Sequence, residues 1–465
     1  MSQTSTMKKL GFWSIVLFAI NSIIGSGIFL TPGSVVSMVG AKAPLAYLGA
    51  AVIAIVLAIS FASAAKYVSK SGGAYAYAKA SFGNRFGFYM GVVRYFSASV
   101  AWGVMAVSVI KSTLSIFGGN PNDFTSVSIG FVVLMAIITL VNFLGEDIFT
   151  WVNNLSTIGK LTALVILIVA GLGILLVTGQ NNFSNIDSLT GSVIPPVTTS
   201  SFVMATVAAF YAFTGFESVS SGSEDMVKPE KNLPRAIPLA IIIISFIYIG
   251  TIAVAMAINP VAIVKTNQVV ALAAVFTNRV LQTIILLGAL ISMFGINVAA
   301  SFNSPRILEA MANEGQMPYW IAKRNRKGIP IVAYIITVAL AIFIPMSFLY
   351  ETTLVILMSA MVRFFEFICI PIGVVGYYYG KHQQPILEAP KNWWTDVLIP
   401  ILGVILTAFL LFEYDWVGEF SIHGHLNWYA ISGMIGGFVV LPIIFAVFAR
   451  IERRRGALHA RVKQN

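Results

Sequence analysis

Residues 12–38, FWSIVLFAINSIIGSGIFLTPGSVVSM, are apolar for long enough to cross a bilayer, yet their centre reads Gly25-Ser26-Gly27. Glycine inside a helix costs about 1 kcal/mol relative to alanine. Two glycines flanking a serine therefore predict a helix that stops and restarts at mid-membrane depth. Non-helical backbone survives there only where protein buries it or where it lines a water-filled cavity. The N–H groups bared at the restart then face that cavity and are suited to an anion.

Composition sets the surroundings. The chain is 58% hydrophobic and 10% charged, against about 25% charged in a soluble domain, and its mean hydropathy is +0.87. An integral membrane protein with many spans is expected. Apolar runs of about 20 residues fall at roughly 12–38, 43–65, 84–117, 127–144, 151–178, 201–221, 236–258, 280–304, 330–349, 353–379, 397–414 and 428–449. That is twelve spans, with both termini on one side.

Charge orients them. One set of loops holds Lys8, Lys9, Lys66, Lys70, Lys79, Arg85, Lys228, Lys231, Arg235, Arg306, Lys323, Arg324, Arg326, Lys327, Lys381, Lys391 and the tail from Arg450 to Lys463. The other set holds Lys42, Lys111, Lys265 and Arg279. This asymmetry predicts cytoplasmic termini for a multi-pass protein of the plasma membrane. It also reads the net charge of +11 as orientation, with no nucleic-acid partner. The N-terminal MSQTSTMKKLGFW lacks a small-residue cleavage site, so the first run is expected to stay as a span. The tail Arg453-Arg454-Arg455 is expected to meet anionic lipid headgroups.

Enzymatic and ATP-driven functions find no support. Cys369 is the sole cysteine, which excludes an internal disulfide, and no P-loop pattern is present. His382, His423, His425 and His459 fall in loops and the tail, so no catalytic residue, metal site or cofactor is expected.

A second interruption, Thr214-Gly215-Phe216-Glu217, breaks the sixth apolar run. Two five-span units beginning at spans one and six would enter the membrane from opposite sides. Matching interruptions in inverted halves point to a midplane binding site in a secondary transporter. Close helix packing at each glycine is the competing explanation.

The segments Ile24-Gly25-Ser26-Gly27-Ile28-Phe29 and Phe213-Thr214-Gly215-Phe216-Glu217 occur with three loops in register. These are Gly72-Gly73-Ala74-Tyr75 through Phe82-Gly83, Glu224-Asp225 through Pro229, Pro234, Arg235 and Ala236, and Arg306 through Met311, Glu314-Gly315 and Pro318. Over about residues 10–380 the chain resembles the amino acid–polyamine–organocation (APC) superfamily of amino acid permeases. The resemblance implies an all-α integral membrane fold of twelve transmembrane helices. A five-plus-five inverted repeat with broken helices 1 and 6 would be followed by two peripheral helices, and spans one, three, six, eight and ten would surround the substrate. The expected units are 12–178, 201–379 and 397–449, with an N-terminal segment 1–11 and a basic tail 450–465.

An α-amino acid carries a carboxylate and an ammonium on one carbon. The N–H groups of Ser26, Gly27 and Ile28 suit the carboxylate at a positive helix end, and Gly25 leaves room for it to approach the backbone. Carbonyls freed at the preceding half-helix ends suit the ammonium: Ile23 and Ile24 in span one, and Tyr211, Ala212, Phe213 and Thr214 in span six. The resemblance implies the same assignment. It further implies that Tyr211 gates the site, with a packing tyrosine as the alternative, and that Ser97, Ala98 and Trp102 of span three face the pocket. Trp102 there either shapes the pocket or simply packs. The lack of a tryptophan near Ala299-Ala300 argues against an arginine–agmatine type of exchanger.

Lys160 is deep in span five, where an ionisable group is a functional candidate by default. A lysine stripped of water can gain and lose a proton near physiological pH. Similarity to proton-coupled superfamily members places its ammonium where sodium-coupled relatives bind sodium. The alternative is snorkelling, since Lys160 lies about 13 Å along a helix from the membrane edge. Expected partners are span-one carbonyls and span-eight polar groups such as Ser301. Glu217 reads either as a cap on the restarted helix or as a proton relay. Arg363 and Glu366 are spaced to pair on one helix face, and Arg94 lacks a partner nearby in sequence. The chain is thus expected to be a proton-coupled amino acid symporter whose partners are an α-amino acid, protons and membrane lipids. An antiporter exchanging amino acids or amines is the alternative, ahead of a sensor or channel, and oligomeric state is left open.

Overall fold

The computed structural model describes residues 9–462 except 180, 184, 185, 187–193, 195, 266–270, 349, 351, 352, 415, 423 and 424. Lys8, His423 and Lys463 of the sequence expectations lie outside the described residues. The helices are α1 (Phe12–Ile23), α2 (Gly27–Val39), α3 (Ala43–Tyr67), α4 (Ala74–Phe82), α5 (Asn84–Ile116), α6 (Phe124–Phe143), α7 (Glu146–Thr178), α8 (Thr199–Tyr211) and α9 (Pro229–Ile258). They continue as α10 (Pro260–Lys265), α11 (Ala271–Ala274), α12 (Arg279–Asn313), α13 (Ile331–Ser347), α14 (Thr353–Tyr378), α15 (Ile399–Glu413), α16 (Trp416–Phe420), α17 (Trp428–Ile435) and α18 (Leu441–Val462). A 3-10 helix spans Phe216–Asp225. Ser421–Ile422 and His425–Leu426 form a two-residue antiparallel pair, and the rest of the described fold is helical.

Among the described residues, ten helical stretches are long and apolar enough to cross a membrane, joined by the shorter apolar helices Phe12–Ile23 and Ile331–Ser347. This is an all-helical, multi-pass membrane protein. The helices track the apolar runs, with two informative excesses. The run at 280–304 continues as α12 to Asn313, because Ile307–Ala312 are good helix formers even beside Arg306 and Glu309. It stops where Gly315 turns the chain at φ +69°. Helix α9 begins at Pro229, seven residues before its apolar run, with proline in a first turn that needs no N–H.

Helix α1 sits against α7, α9 and α12, while α12 also packs along α5, and α3 lies along α9. The face where α1 begins is tied together by charge. Asp225 accepts from Arg306 Nε at 2.6 Å and from Arg324 Nη1 at 2.7 Å, and Arg324 also binds Glu309. Leu10 joins this cluster through its backbone. Its N–H donates to the Asp225 carbonyl at 3.0 Å, and its own carbonyl accepts from Val227 N–H at 2.9 Å.

One buried acid fastens the segment leading into α15 to the end of α3. Asp396 is fully buried and accepts from Lys66 Nζ at 2.8 Å, Tyr67 OH at 2.7 Å and the Asn392 N–H at 2.9 Å. Removing one partner of a buried pair typically costs about 3–5 kcal/mol. Asp396→Ala is therefore expected to lower the melting temperature of the detergent-solubilised protein by several degrees, and an unchanged melting temperature would contradict this fastening role.

Candidate functional site

The two predicted interruptions are real gaps in helix. Helix α1 ends at Ile23, Ile24 is extended (φ −73°, ψ 97°), and α2 restarts at Gly27. Helix α8 ends at Tyr211, and the 3-10 helix begins after Gly215, whose φ of +120° no side-chain-bearing residue readily adopts. The gaps press on each other. A methyl group on Gly27 would stand 2.7 Å from the Ala212 Cα, and one on Gly215 would strike the Ser22 carbonyl.

A cavity opens beside this crossing. Its wall contains Ile23, Gly25, Ser26 and Gly27 from the first gap, and Tyr211, Thr214, Gly215 and Ser218 from the second. Helix α5 adds Arg94, Ser97, Ala98, Ala101 and Met105, α12 adds Ile296, Ala299, Ala300 and Asn303, and α14 adds Arg363. Tyr211 is 41% exposed, whereas Ser221, Ser304 and Ile307, on the same wall towards the α1 end of the bundle, are buried. The cavity is thus closed on the face where the ion pairs lie. Ser22 Oγ, Ser97 Oγ and Asn303 Oδ1 are buried on its wall with no hydrogen-bond partner among the described residues.

Of the residues singled out from sequence, Ile23, Gly25, Ser26, Gly27, Ser97, Ala98, Tyr211 and Thr214 line this cavity; Trp102 does not. Positions 94, 97, 98, 101 and 105 share the cavity-facing stripe of α5, and Trp102 falls beyond it. Its ring packs edge-on to Tyr334 of α13 at 6.1 Å, fully buried. The helical period reaches Ala101 and Met105 from Ser97 and Trp102 from Ala98, so spacing offers both and the packing of α5 selects the first.

The peptide groups sort into used and unused. The Tyr211 carbonyl accepts from Thr214 N–H at 3.3 Å and Thr214 Oγ1 at 2.8 Å, and the Ala212 carbonyl accepts from Tyr248 OH at 3.2 Å. The Ile24 carbonyl is taken by Lys160 and by Ser292 Oγ at 3.2 Å. These three carbonyls are therefore engaged within the protein, and Phe213 packs its ring on Tyr248 at 5.0 Å, off the cavity. The Ile23 and Thr214 carbonyls, both at the cavity, accept no hydrogen bond among the described residues. The same holds for donation by the N–H groups of Gly25, Ser26 and Gly27.

Lys160 is fully buried in α7 behind the first gap. Its ammonium donates to the carbonyls of Ile24, of Asn21 at 3.3 Å and of Ser292 at 3.4 Å. Snorkelling is therefore not what this side chain does. The α12 partner is Ser292, and Ser301, two and a half turns further on, instead accepts from Asn142 Nδ2 at 2.7 Å.

Glu217 closes the second gap. One carboxylate oxygen accepts from the Gly215 N–H at 2.7 Å, and the other from Arg363 Nε at 2.9 Å. Glu366 meets Arg94 Nε at 3.2 Å, and Arg94 Nη2 donates to Ser218 Oγ at 2.6 Å. Arg363 and Glu366, spaced to pair locally, instead meet Glu217 and Arg94, and the four groups form a cluster across α5, α14 and the second gap.

Membrane-crossing helices with paired interruptions around a polar-walled cavity are the build of a secondary transporter. The chain belongs to the amino acid permease family of the APC superfamily, whose family model matches residues 10–450. Its members are transporters, not enzymes. The chain is 37% identical over 466 residues to an uncharacterized transporter of Mycobacterium tuberculosis, covering 96% of both proteins. It is 27% identical over 432 residues to Asc-type amino acid transporter 1 of Mus musculus, covering 90% of this chain and 78% of that protein. It is 26% identical over 425 residues to large neutral amino acids transporter small subunit 2 of Mus musculus, covering 88% and 76%.

The α5 geometry makes a discriminating prediction. Ala101→Trp should fill the cavity and abolish thermal stabilisation by substrate. Trp102→Phe should lower the ligand-free melting temperature yet keep the substrate-induced rise. The reverse pattern would show that Trp102, not Ala101, faces the ligand.

Proposed function

We propose that this permease carries an α-amino acid across the plasma membrane by alternating access, as a proton-coupled symporter. One observation carries the reading: unused N–H groups and unused carbonyls face one cavity at two mutually packed helix gaps. The N–H groups of Gly25, Ser26 and Gly27 hold the carboxylate, and the carbonyls of Ile23 and Thr214 hold the ammonium. Tyr211, at the exposed end of the cavity, closes over the bound molecule.

The architecture on this reading is twelve spans: inverted units at 12–178 and 201–379, then two peripheral helices at 397–449. Packing supports it. Helices α3 and α9 are the second spans of the two units, α5 and α12 the third, and each lies against its counterpart. Basic loops put both termini in the cytoplasm, so the described state is closed towards the cytoplasm.

Coupling runs through Lys160. Protonated, its ammonium binds Asn21 and Ile24 of the first gap to Ser292 of α12. Deprotonated, it keeps two donors for three carbonyls, and the hold of α12 on the gap loosens to the bonds made by Ser292 Oγ and Asn21 Nδ2. The ammonium also stands among carbonyls where a cation such as sodium would otherwise bind. Glu217, capping the second gap and held by Arg363, is the second proton-coupling group.

Reconstitution in liposomes tests this. An inward proton gradient should drive accumulation of the substrate amino acid, sodium should add nothing, and Lys160→Ala should abolish accumulation while sparing exchange. Undiminished pH-driven accumulation by Lys160→Ala would overturn the coupling role. Uptake that requires internal amino acid and ignores the proton gradient would replace symport with exchange.

A further inference from the structure

A separate concavity lies on the face that carries α4, away from the helix gaps. It is bordered by the chain from Tyr67 to Ala80, the end of α12 at Glu314 and the extended segment Gln384–Leu387, and it encloses about 230 Å³. Neither substrate recognition nor proton coupling uses it.

Two lysines meet one glutamate on its wall, Lys79 within and Lys70 at the exposed edge. Lys70 Nζ lies 2.7 Å from one Glu314 oxygen and Lys79 Nζ 2.6 Å from the other, so two ammoniums share one carboxylate. Lys79 is nearly buried, with 9% of its side chain exposed. The remaining acid, Glu224, is on the exposed rim, its N–H held by Ser71 Oγ at 3.1 Å. Tyr75 is 1% exposed, lines the same cavity, and has a hydroxyl with no partner among the described residues. A buried hydroxyl left without a partner is unfavourable. Burial and then the Glu314 carboxylate push the Tyr75 phenol up, so it stays a donor. The same wall includes the apolar residues Val68, Pro385, Ile386 and Leu387.

We propose that this concavity is a second ligand site, for an amphiphilic anion. A carboxylate or phosphate head accepts from the Tyr75 hydroxyl and the Lys79 ammonium, and a short apolar body rests on Val68 and Ile386. Occupancy joins α4, the end of α12 and the segment after α14, and so favours the state closed on this face. A free organic acid and an anionic phospholipid share this chemistry.

Thermal unfolding of the full chain in detergent tests the site, with octanoate as free anion and dihexanoyl phosphatidylglycerol as lipid. Octanol is the uncharged amphiphile, and inorganic phosphate the head alone. At least one of the two amphiphilic anions should raise the melting temperature above the octanol and phosphate controls, and the one with the lower half-saturating concentration identifies the source. Tyr75→Phe should not lower the ligand-free melting temperature, because the hydroxyl it removes bonds to nothing and is unfavourable where it is, yet it should weaken half-saturation at least fivefold. The shift should persist in Ala101→Trp, whose central cavity is filled. Equal binding by Tyr75→Phe and wild type, no shift above the controls from either anion, or loss of the shift in Ala101→Trp would each overturn the proposal.

Discussion

The ammonium of Lys160 is what allows a helix to come apart in the middle of this membrane protein. Each peptide group left without a partner in hydrocarbon costs several kcal/mol. At the first gap the freed carbonyls of Asn21 and Ile24 converge on one buried cation, which Ser292 of α12 also meets through its own carbonyl. The hydroxyl of Ser292 adds a bond to the Gly25 carbonyl at 3.0 Å. The interruption is thereby anchored on the side away from the cavity, leaving the other side open to a ligand.

The second gap solves the complementary problem with the opposite charge. At the first, a cation meets carbonyls at the end of a half-helix. At the second, the Glu217 carboxylate meets an N–H just before the chain resumes its helical turn. Both choices follow the polarity of helix ends. Arg363 and Arg94 then hold the carboxylate's surroundings, and Glu366 answers Arg94. Among the described residues, the peptide groups left unused at the cavity are a short set of N–H groups and carbonyls, of the two polarities that the charges of an α-amino acid need.

Much of this was legible in the chain. Glycine at mid-span signals an interruption because its cost in a helix is local, and the gaps after Ile23 and Tyr211 are where Gly25 and Gly215 put them. Lys160 announced itself because charge at that depth is rare. The remainder depended on three-dimensional neighbours. Whether Ala101 or Trp102 faces the cavity is a rotation of 100° about the helix axis, which spacing alone does not assign. Ser292 and Ser301 lie on the same long apolar helix, and only its axial position beside α7 chooses between them. Arg363 and Glu366 have the spacing of a local pair, yet Glu217 and Arg94 reach them from other spans. The Ala212 carbonyl looked free in sequence because the Tyr248 hydroxyl reaches it from another span, whereas the Tyr211 carbonyl is taken by a local turn at Thr214.

The central claim is that bare peptide groups at two gaps read both charges of the ligand head. Competition against uptake of the radiolabelled substrate amino acid, using its methyl ester and its deaminated acid, measures this directly. Each analogue lacks one charge and keeps the side chain. Both should compete at least a hundredfold more weakly than the parent amino acid, which amounts to about 2.7 kcal/mol or more for each missing charge. Either analogue competing as well as the parent would mean that its missing charge is not held by the gaps.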